Sequence, residues 1–258
     1  PLAAGVLGSY AKYFKSLHVA GKPLVLYNIW DAGSAICLAG QGASAIATGS
    51  LSVAATQGFA DGEEMPLHRA LETAQQIAQS VDLPVSLDFE GGYAQDLETL
   101  TANIKSVITT GVIGINFEDR IVKGEGLYTL PEQVARLTAV RQAADQQDIA
   151  LFLNARTDIF LQTQTAEHSE ALVNQALERA AAFAQAGADG FFIPGLTNTA
   201  LIAKICQNTI LPVNVLMRGN LETIAQVADL GVARASYGPA PYFAAMQDLT
   251  ARFNSLSI

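Results

Sequence analysis

Two pairs of acidic residues, each at the end of an apolar segment, are the side chains in this sequence best suited to chemistry. One pair is Asp88 and Glu90, and the other is Glu118 and Asp119. Because side chains alternate along a strand, we expect Asp88 and Glu90 to point to the same side. Two carboxylates on one face repel each other unless a cation or a shared proton lies between them. The acids therefore predict a cation site.

A hard divalent metal is the simplest occupant of such a site, because these ions take oxygen ligands and often keep several waters. Gly91 and Gly92 follow Glu90 and leave room for a ligand to approach the backbone. No histidine or cysteine falls at a predicted strand end, which disfavours zinc, a histidine-dependent triad and a cysteine nucleophile. The sequence also lacks a phosphate-binding glycine loop of the nucleotide-binding type.

The elements that position these residues alternate between short apolar segments and helical segments. The predicted strands are 24–29, 43–49, 84–89, 113–118, 150–156, 189–194, 212–217 and 233–238. Clear helices are predicted at 131–147 and 167–186. Eight such repeats in 258 residues favour a single-domain α/β fold, the closed (β/α)8 TIM barrel. We expect residues 1–22 to form an N-terminal extension with a helix, and residues 23–258 to form the barrel and a C-terminal helix.

Composition narrows the class of partner. The net charge is −9 and only 15% of residues are charged, so we expect neither a nucleic acid nor a membrane as partner. No window is apolar for the 18 or more residues that a membrane span needs. Cys37 and Cys206 lie in separate predicted helices. We expect both thiols to pack as small hydrophobes in a reduced, cytoplasmic protein.

Active sites of such barrels lie at the carboxyl ends of the strands. Arg156 is expected there, where it can bind a carboxylate through two parallel hydrogen bonds; the alternative is an ion pair with Glu118 or Asp158. The backbone N–H groups of Ser50 and Leu51 could complete a carboxylate site. These groups suit a small 2-oxo acid that chelates the metal and develops enolate charge.

One further residue belongs to the predicted site. Asn214, in the seventh predicted strand, either faces the substrate or only bridges strands. Asp31, by contrast, is predicted to cap the first barrel helix.

Six segments resemble the isocitrate lyase/phosphoenolpyruvate mutase superfamily, and its small mutase-like branch in particular. They are NIWDAGSA at 28–35, ATGS at 47–50, GFAD at 58–61, LDFEGGY at 87–93, GINFED at 114–119 and NARTD at 154–158. The resemblance implies that Asp88 contacts Mg²⁺ most directly, with Asp61, Glu90 and Glu118 supporting it largely through water. It also places a gating loop at 119–129, which we call the lid.

The sequence departs from that family's patterns in the lid and at two strand ends. The lid lacks the Lys-Lys-Cys-Gly-His signature of the lyases, and Lys123 is its one candidate for the polar residues that mutases carry there. Glu90 stands where the family usually has Asp. Pro194 and Gly195 end the sixth strand without the acid or histidine of known members. Isocitrate cleavage is therefore not expected, and the pattern also counts against mutase chemistry.

The sequence thus predicts a Mg²⁺-dependent lyase-type enzyme for an oxaloacetate-like 2-oxo carboxylate, acting by C–C cleavage or decarboxylation through an enolpyruvate-type intermediate. The predicted metal ligands are Asp88, Glu90 and Glu118; the catalytic residues are Arg156, Asp61, Glu118 and Lys123; the substrate-binding residues are Ser50, Leu51, Arg156 and Asn214. The alternatives are P–C chemistry of the phosphoenolpyruvate mutase or phosphonopyruvate hydrolase type, and a non-catalytic barrel that binds a 2-oxo acid. The resemblance also implies a homo-oligomer, a tetramer or dimer.

Overall fold

The alternation of apolar and helical segments produces eight parallel strands around one barrel, which confirms the predicted fold class. The computed structural model describes residues 2–256. The strands are β1 Leu24–Leu26, β2 Ile46–Ala47, β3 Val85–Asp88, β4 Gly114–Glu118, β5 Phe152–Arg156, β6 Gly190–Phe192, β7 Val213–Leu216 and β8 Arg234–Ser236. Hydrogen bonding runs in sequence order from β2 to β8, and β8 pairs with β1.

Helices surround the barrel and follow nearly every strand. They are α1 Ala4–Ser16, α2 Ala32–Gly40, α3 Ser50–Thr56, α4 Leu67–Ser80, α5 Leu97–Thr109, α6 Leu130–Gln146, α7 Glu170–Gln185, α8 Thr199–Asn208, α9 Ile224–Asp229 and α10 Ala240–Asn254. Within residues 2–256, none of these helices combines the length and the apolar character needed to cross a membrane.

Side-chain caps fix where several helices begin. Asp31 accepts a hydrogen bond from the Ser34 N–H at 2.7 Å, which confirms its predicted role as the cap of α2. Thr129 and Glu132 form a reciprocal capping box at the start of α6, with Pro131 in the first turn. The predicted helix at 131–147 therefore starts within one residue of the observed one.

The cysteine prediction is correct in part. Cys37 and Cys206 lie in separate helices, α2 and α8, and both are free thiols. Cys206 is half-buried, and burial raises the pKa of its thiol to about 11. The predicted packing of Cys37 is wrong, because it lies on an exposed face of α2 beside Ile36, which is 53% exposed.

Closure between β1 and β2 occurs only beyond the ends of these short strands. Ile29 and Thr48 form an isolated parallel bridge there. Asn28 secures the same seam: its Oδ1 accepts from the N–H groups of Tyr237 and Gly238, both at 2.9 Å, and its Nδ2 donates to Thr48 O at 3.0 Å. This amide ties β1, β2 and β8 together at the end where the site lies.

Amide side chains fill the middle of the barrel, where branched aliphatic residues are more usual. Asn154 Nδ2 donates to Asn116 Oδ1 at 2.8 Å and to Asn214 Oδ1 at 3.0 Å. Arg234 Nη2 reaches the same Asn116 oxygen at 3.3 Å. Gly190 makes this layer possible, since a Cβ there would lie 2.7 Å from Asn154 Oδ1.

Helix α1 closes the bottom of the barrel, the end opposite the site. Phe14 is fully buried and meets the Phe152 ring edge-on at 5.2 Å. His18 stacks on Phe152 at 4.2 Å, and burial lowers the pKa of its imidazole to about 3. The segment predicted as an extension, 1–22, therefore includes a helix that contributes to the barrel's own core.

Phe14→Ala should remove this closure and destabilise the protein. Loss of a buried phenylalanine typically costs about 3–5 kcal/mol. Tyr13→Ala is the matched control, because Tyr13 lies next to Phe14 in the same helix and is 46% exposed. Urea unfolding followed by circular dichroism measures both, and equal midpoints for the two variants would contradict a role for α1 in the core.

Candidate active site

Asp88 ends β3 with one carboxylate oxygen held and the other without a partner. Its backbone N–H donates to Thr48 Oγ1 at 2.9 Å, and its Oδ2 accepts from the Ser50 N–H at 3.0 Å. Oδ1 is buried and makes no hydrogen bond within the described residues. Buried polar atoms are normally paired, so this oxygen indicates a missing partner.

Glu90 reaches the cluster by a turn rather than by strand alternation. The strand ends at Asp88, and Glu90 has a φ of 53°, a left-handed conformation uncommon outside glycine. The alternation predicted for this segment is therefore wrong at Glu90. Its carboxylate accepts from the N–H groups of Gly62 at 3.0 Å and Glu63 at 3.2 Å. Glu63, with a φ of 60°, accepts in turn from the Tyr93 N–H at 2.8 Å.

The loop after α3 brings Asp61 to the same place. Asp61 Oδ1 accepts from Ser50 Oγ at 2.9 Å, while the Ser50 N–H is already used by Asp88. Leu51 follows in the first turn of α3. The structure therefore brings together Asp61, Ser50, Asp88 and Glu90, as the sequence predicted, but the Ser50 N–H is paired within the protein.

Arg156 lies at the end of β5 between two carboxylates. Its Nε and Nη2 contact the Asp158 carboxylate at 2.6 and 3.1 Å, and Nη2 lies 3.1 Å from Glu118 Oε2. These ion pairs are the alternative that the sequence left open. Within residues 2–256, however, Nη1 takes part in no hydrogen bond and remains available to an anion.

Burial dominates the electrostatics of the cluster. It raises the pKa of Asp88, an effect that Arg156 and the Ser50 N–H oppose. It also raises the pKa of Glu118 well above its usual value, again against Arg156. Burial, followed by the charges of Asp88, Asp61 and Glu63, raises the pKa of Glu90 to about 9. The metal-free cluster thus favours protonation, as expected of crowded acids.

Mg²⁺ fits this donor set through water rather than through an all-protein cage. Within the described residues, no three His, Cys, Asp or Glu side chains converge as direct ligands of one ion. Mg²⁺ usually keeps several waters and binds through one or two carboxylates. The unpaired Asp88 Oδ1, with the carboxylates of Glu90, Asp61 and Glu118 nearby, matches that requirement.

Two predicted site residues are not brought to the cluster. Lys123, in the lid, pairs with Glu64 at 2.6 Å, and both side chains are about half exposed. Asn214 is the second residue of β7, and its amide bonds to Asn154, Ser236 and backbone carbonyls inside the barrel. None of its hydrogen bonds reaches the acids.

The sequence did not reveal Glu63 or the arginines that hold the site's loops. Arg136 donates to backbone carbonyls at Gly91, Ala94 and Gln95. Arg179 pairs with the buried Asp119 at 3.2 Å. A signal for Arg136 was present, because it shares the buried stripe of α6 with apolar residues at helical spacing. A charged residue at a core position is informative.

Comparison with known proteins agrees with this geometry. The family described as phosphoenolpyruvate phosphomutase matches residues 14–257. A proposed phosphonomutase from Burkholderia cenocepacia J2315 has a similar crystal structure, with a TM-score of 0.94, 45% identity, and coverage of 96% of this chain and 98% of that one. An uncharacterized protein of Mycobacterium tuberculosis (strain H37Rv) is 33% identical over 237 residues, 90% of this chain and 84% of its own length.

Relatives named as oxaloacetate decarboxylases are less similar in sequence. The oxaloacetate decarboxylase of Pseudomonas aeruginosa is 29% identical over 206 residues, which cover 77% of this chain and 67% of that protein. The matched family and the barrel with acids at its strand ends lead to one conclusion: the chain belongs to the phosphoenolpyruvate mutase/isocitrate lyase superfamily.

Proposed function

We propose that this protein is a Mg²⁺-dependent lyase-type enzyme that decarboxylates a small 2-oxo carboxylate resembling oxaloacetate, or cleaves a C–C bond in it. The observation that carries the proposal is the buried, unpaired Asp88 Oδ1 within a group of acids beside Arg156. A crowded acid group binds a cation, and a neighbouring guanidinium binds an anion. The site thus suits a chelating anion bound to a metal.

The acids would divide the metal's coordination between them. Asp88 would contact Mg²⁺ directly through Oδ1, while Asp61, Glu90 and Glu118 would hold its water ligands. When bound, Mg²⁺ would supply a Lewis acid that polarises the 2-oxo oxygen and stabilises developing enolate charge. The N–H groups of Gly62 and Glu63 would keep Glu90 in place.

Arg156 would bind the substrate carboxylate through its unused Nη1. Asp158 and Glu118 hold the guanidinium plane from the other side, so the group is oriented before substrate arrives. The Leu51 N–H, in the first turn of α3, would add a second donor. Because burial raises the pKa of Glu118, its carboxyl is suited to hold a proton and donate it to the carbon that has lost CO₂; solvent would then reprotonate the carboxylate.

The lid would exclude water from this reaction. Val122 of the lid already packs against Gly91, in the loop after Asp88. The contact is so close that a Cβ at Gly91 would lie only 2.9 Å from Val122 Cγ2. The exposed pair of Lys123 and Glu64 holds the lid tip to the neighbouring loop at 2.6 Å. An exposed ion pair is worth at most about 1 kcal/mol, so it allows the lid to open for substrate. Lys123 would act by this gating.

P–C chemistry is the second candidate, since the similar Burkholderia protein is a proposed phosphonomutase. Carbon chemistry is favoured by the oxaloacetate decarboxylase relatives and by the lid, whose lone lysine pairs with Glu64 rather than turning into the site. A barrel that binds a 2-oxo acid without turnover is the remaining alternative. All three alternatives involve a ligand with a carboxylate beside a metal-chelating oxygen, and the site suits that shared feature.

The C-terminal helix supports assembly as a homodimer or homotetramer, which we also propose. Pro241 is the only buried residue of α10 within the described chain, although the helix carries Phe243, Leu249 and Phe253. The outer face of β1 is similarly uncovered, with Val25 44% exposed. Single exposed apolar residues are normal, but a contiguous apolar helix face indicates an interface. A second copy of this chain would cover both surfaces.

Asp88→Ala should abolish turnover of oxaloacetate with Mg²⁺. We expect kcat/KM to fall by at least about 100-fold, the scale for losing one electrostatic group in an active site. Asp82→Ala is the matched control, because Asp82 is exposed near the opposite end of the same strand. A coupled pyruvate assay measures both. Turnover of phosphonopyruvate instead would favour P–C chemistry, and oxalate binding without turnover of any acid would favour the binding barrel.

Glu90→Gln should stabilise the metal-free protein at high pH. The pKa of Glu90 is raised from 4.5 to about 9, so folded protein holds a proton that unfolded protein loses. The raised pKa of Glu90 therefore lowers the free energy of unfolding progressively as pH rises from about 4.5 to about 9. We expect the variant in EDTA at pH 8 to melt at least about 2–4 °C higher, the shift that 1 kcal/mol produces at this size.

The same comparison at pH 4 provides the control for Glu90→Gln, because the carboxyl is protonated in both states there. We expect the two melting temperatures to converge at that pH. A variant that melts lower than the wild type at both pH values would contradict a raised pKa at Glu90.

Leu249→Asp should weaken assembly, since it buries a charge in the proposed interface. We expect the apparent mass in light scattering to fall toward that of a monomer, 27.2 kDa. Asp248→Asn changes the charge of the neighbouring position without adding one, and should leave the mass unchanged. A wild-type protein that is already monomeric would exclude the interface.

A further inference from the structure

Arg136 lies under the loop that follows Asp88. It is 2% exposed, and its Nη2 donates to Gly91 O at 2.6 Å. Its Nη1 donates to Ala94 O and Gln95 O, both at 3.0 Å. We call residues 90–95 the acid loop. One side chain thus holds three carbonyls of this loop, through hydrogen bonds that a charged donor strengthens.

The same guanidinium also contacts the lid's end. Its central carbon lies 4.2 Å from the centre of the Tyr128 ring, a cation–π distance. The Tyr128 N–H donates to Asp119 O at 2.8 Å, which closes the base of the lid, and Arg179 donates to Tyr128 O at 2.9 Å. Tyr128 is therefore a fixed point of the lid, and Arg136 stacks on it.

A second contact joins the lid to the acid loop at Gly91. Val122, near the lid tip, lies so close to Gly91 that a Cβ there would be 2.9 Å from its Cγ2. Gly91 therefore has the lid tip against its α-carbon and Arg136 bonded to its carbonyl. Movement of either the lid or the acid loop changes the environment of the other.

No carboxylate within the described residues lies at ion-pair distance from Arg136. Burying a cation without a counter-ion is unfavourable, and apolar replacements of buried charges are often neutral or stabilising. A residue that only filled space between α6 and the barrel would therefore be better apolar. The carbonyl contacts and the Tyr128 stack define what the charge does instead.

We propose that Arg136 is a positioning residue that couples the lid to the acid loop and so fixes Glu90 for metal binding. This proposal depends on the proposed function in one respect: it takes Asp88 and Glu90 to be parts of the metal site. Arg136 touches neither metal nor substrate. It acts through Gly91 on the acid loop and through Tyr128 on the lid.

Arg141 provides a matched control on the same helix. It also donates to backbone carbonyls, at Gly187 and Leu151, and it pairs with Asp189 at 2.6 Å. These contacts lie at the bottom of the barrel, where strands β5 and β6 begin. Replacing Arg141 therefore removes a comparable set of hydrogen bonds far from the lid and the acid loop.

The test compares Arg136→Met, Arg136→Lys and Arg141→Met in the full-length protein. Mg²⁺ affinity is measured by calorimetry, and amide hydrogen exchange is measured over 90–95 and 119–129. We expect Arg136→Met to weaken Mg²⁺ binding by about 10–100-fold, the range for residues that orient metal ligands. Exchange should rise in both segments. Arg136→Lys should recover part of both effects, because it keeps the charge and can still donate to a carbonyl, although it lacks the planar fork that reaches all three.

Arg141→Met should lower thermal stability while leaving Mg²⁺ affinity within about twofold of the wild type. The proposed coupling is wrong if Arg136→Met also leaves the Mg²⁺ affinity within about twofold of the wild type. It is also wrong if hydrogen exchange rises in the acid loop and not in the lid. If the wild type binds no Mg²⁺, the proposed function fails, and the exchange of the two segments still decides the coupling. Should Arg136→Met fail to fold, Tyr128→Leu removes the same stack and is expected to raise exchange in both segments.

Discussion

Repulsion among buried carboxylates is the constraint on which the rest of the site depends. Beyond the effect of burial, the charge of Asp61 raises the pKa of Asp88, and the charges of Asp88 and Asp61 both raise the pKa of Glu90. Such a group is stable only where fixed donors hold the oxygens apart. The protein supplies backbone N–H groups at Ser50 and Gly62 for this purpose. These donors leave Asp88 Oδ1 unpaired, and a cation would bind to that oxygen.

Holding those donors in place requires strained backbone in two neighbouring loops. Glu63, Glu90 and Tyr93 all have positive φ angles, each of which costs of order 1–3 kcal/mol outside glycine. The strain persists because the loops bond to each other and because Arg136 holds the acid loop from below. Strain of this kind is common where a site must be organised before its ligand arrives.

The sequence predicted the barrel and the core of the site for one physical reason. Parallel strands bring their carboxyl ends to one edge, so Asp88, Glu118 and Arg156 had to converge once the strands were recognised. Residues placed by backbone turns or by side-chain networks were not predictable in this way. Glu90 leaves the strand at a left-handed turn, and Asn214 lies lower in β7 than the predicted strand end suggested.

The charges of the site would also determine the order in which the proposed metal and substrate bind. Within residues 2–256, Arg156 is the cation that forms ion pairs with the acids of the cluster, and its partners are Glu118 and Asp158. Burial, together with neighbouring carboxylates, raises the pKa of Asp88, Glu90 and Glu118, so a divalent cation would have to displace protons from the metal-free cluster. With the proposed cation in place, its charge and Arg156 Nη1 would together attract an anion. The proposed function therefore implies metal binding before, or together with, substrate binding.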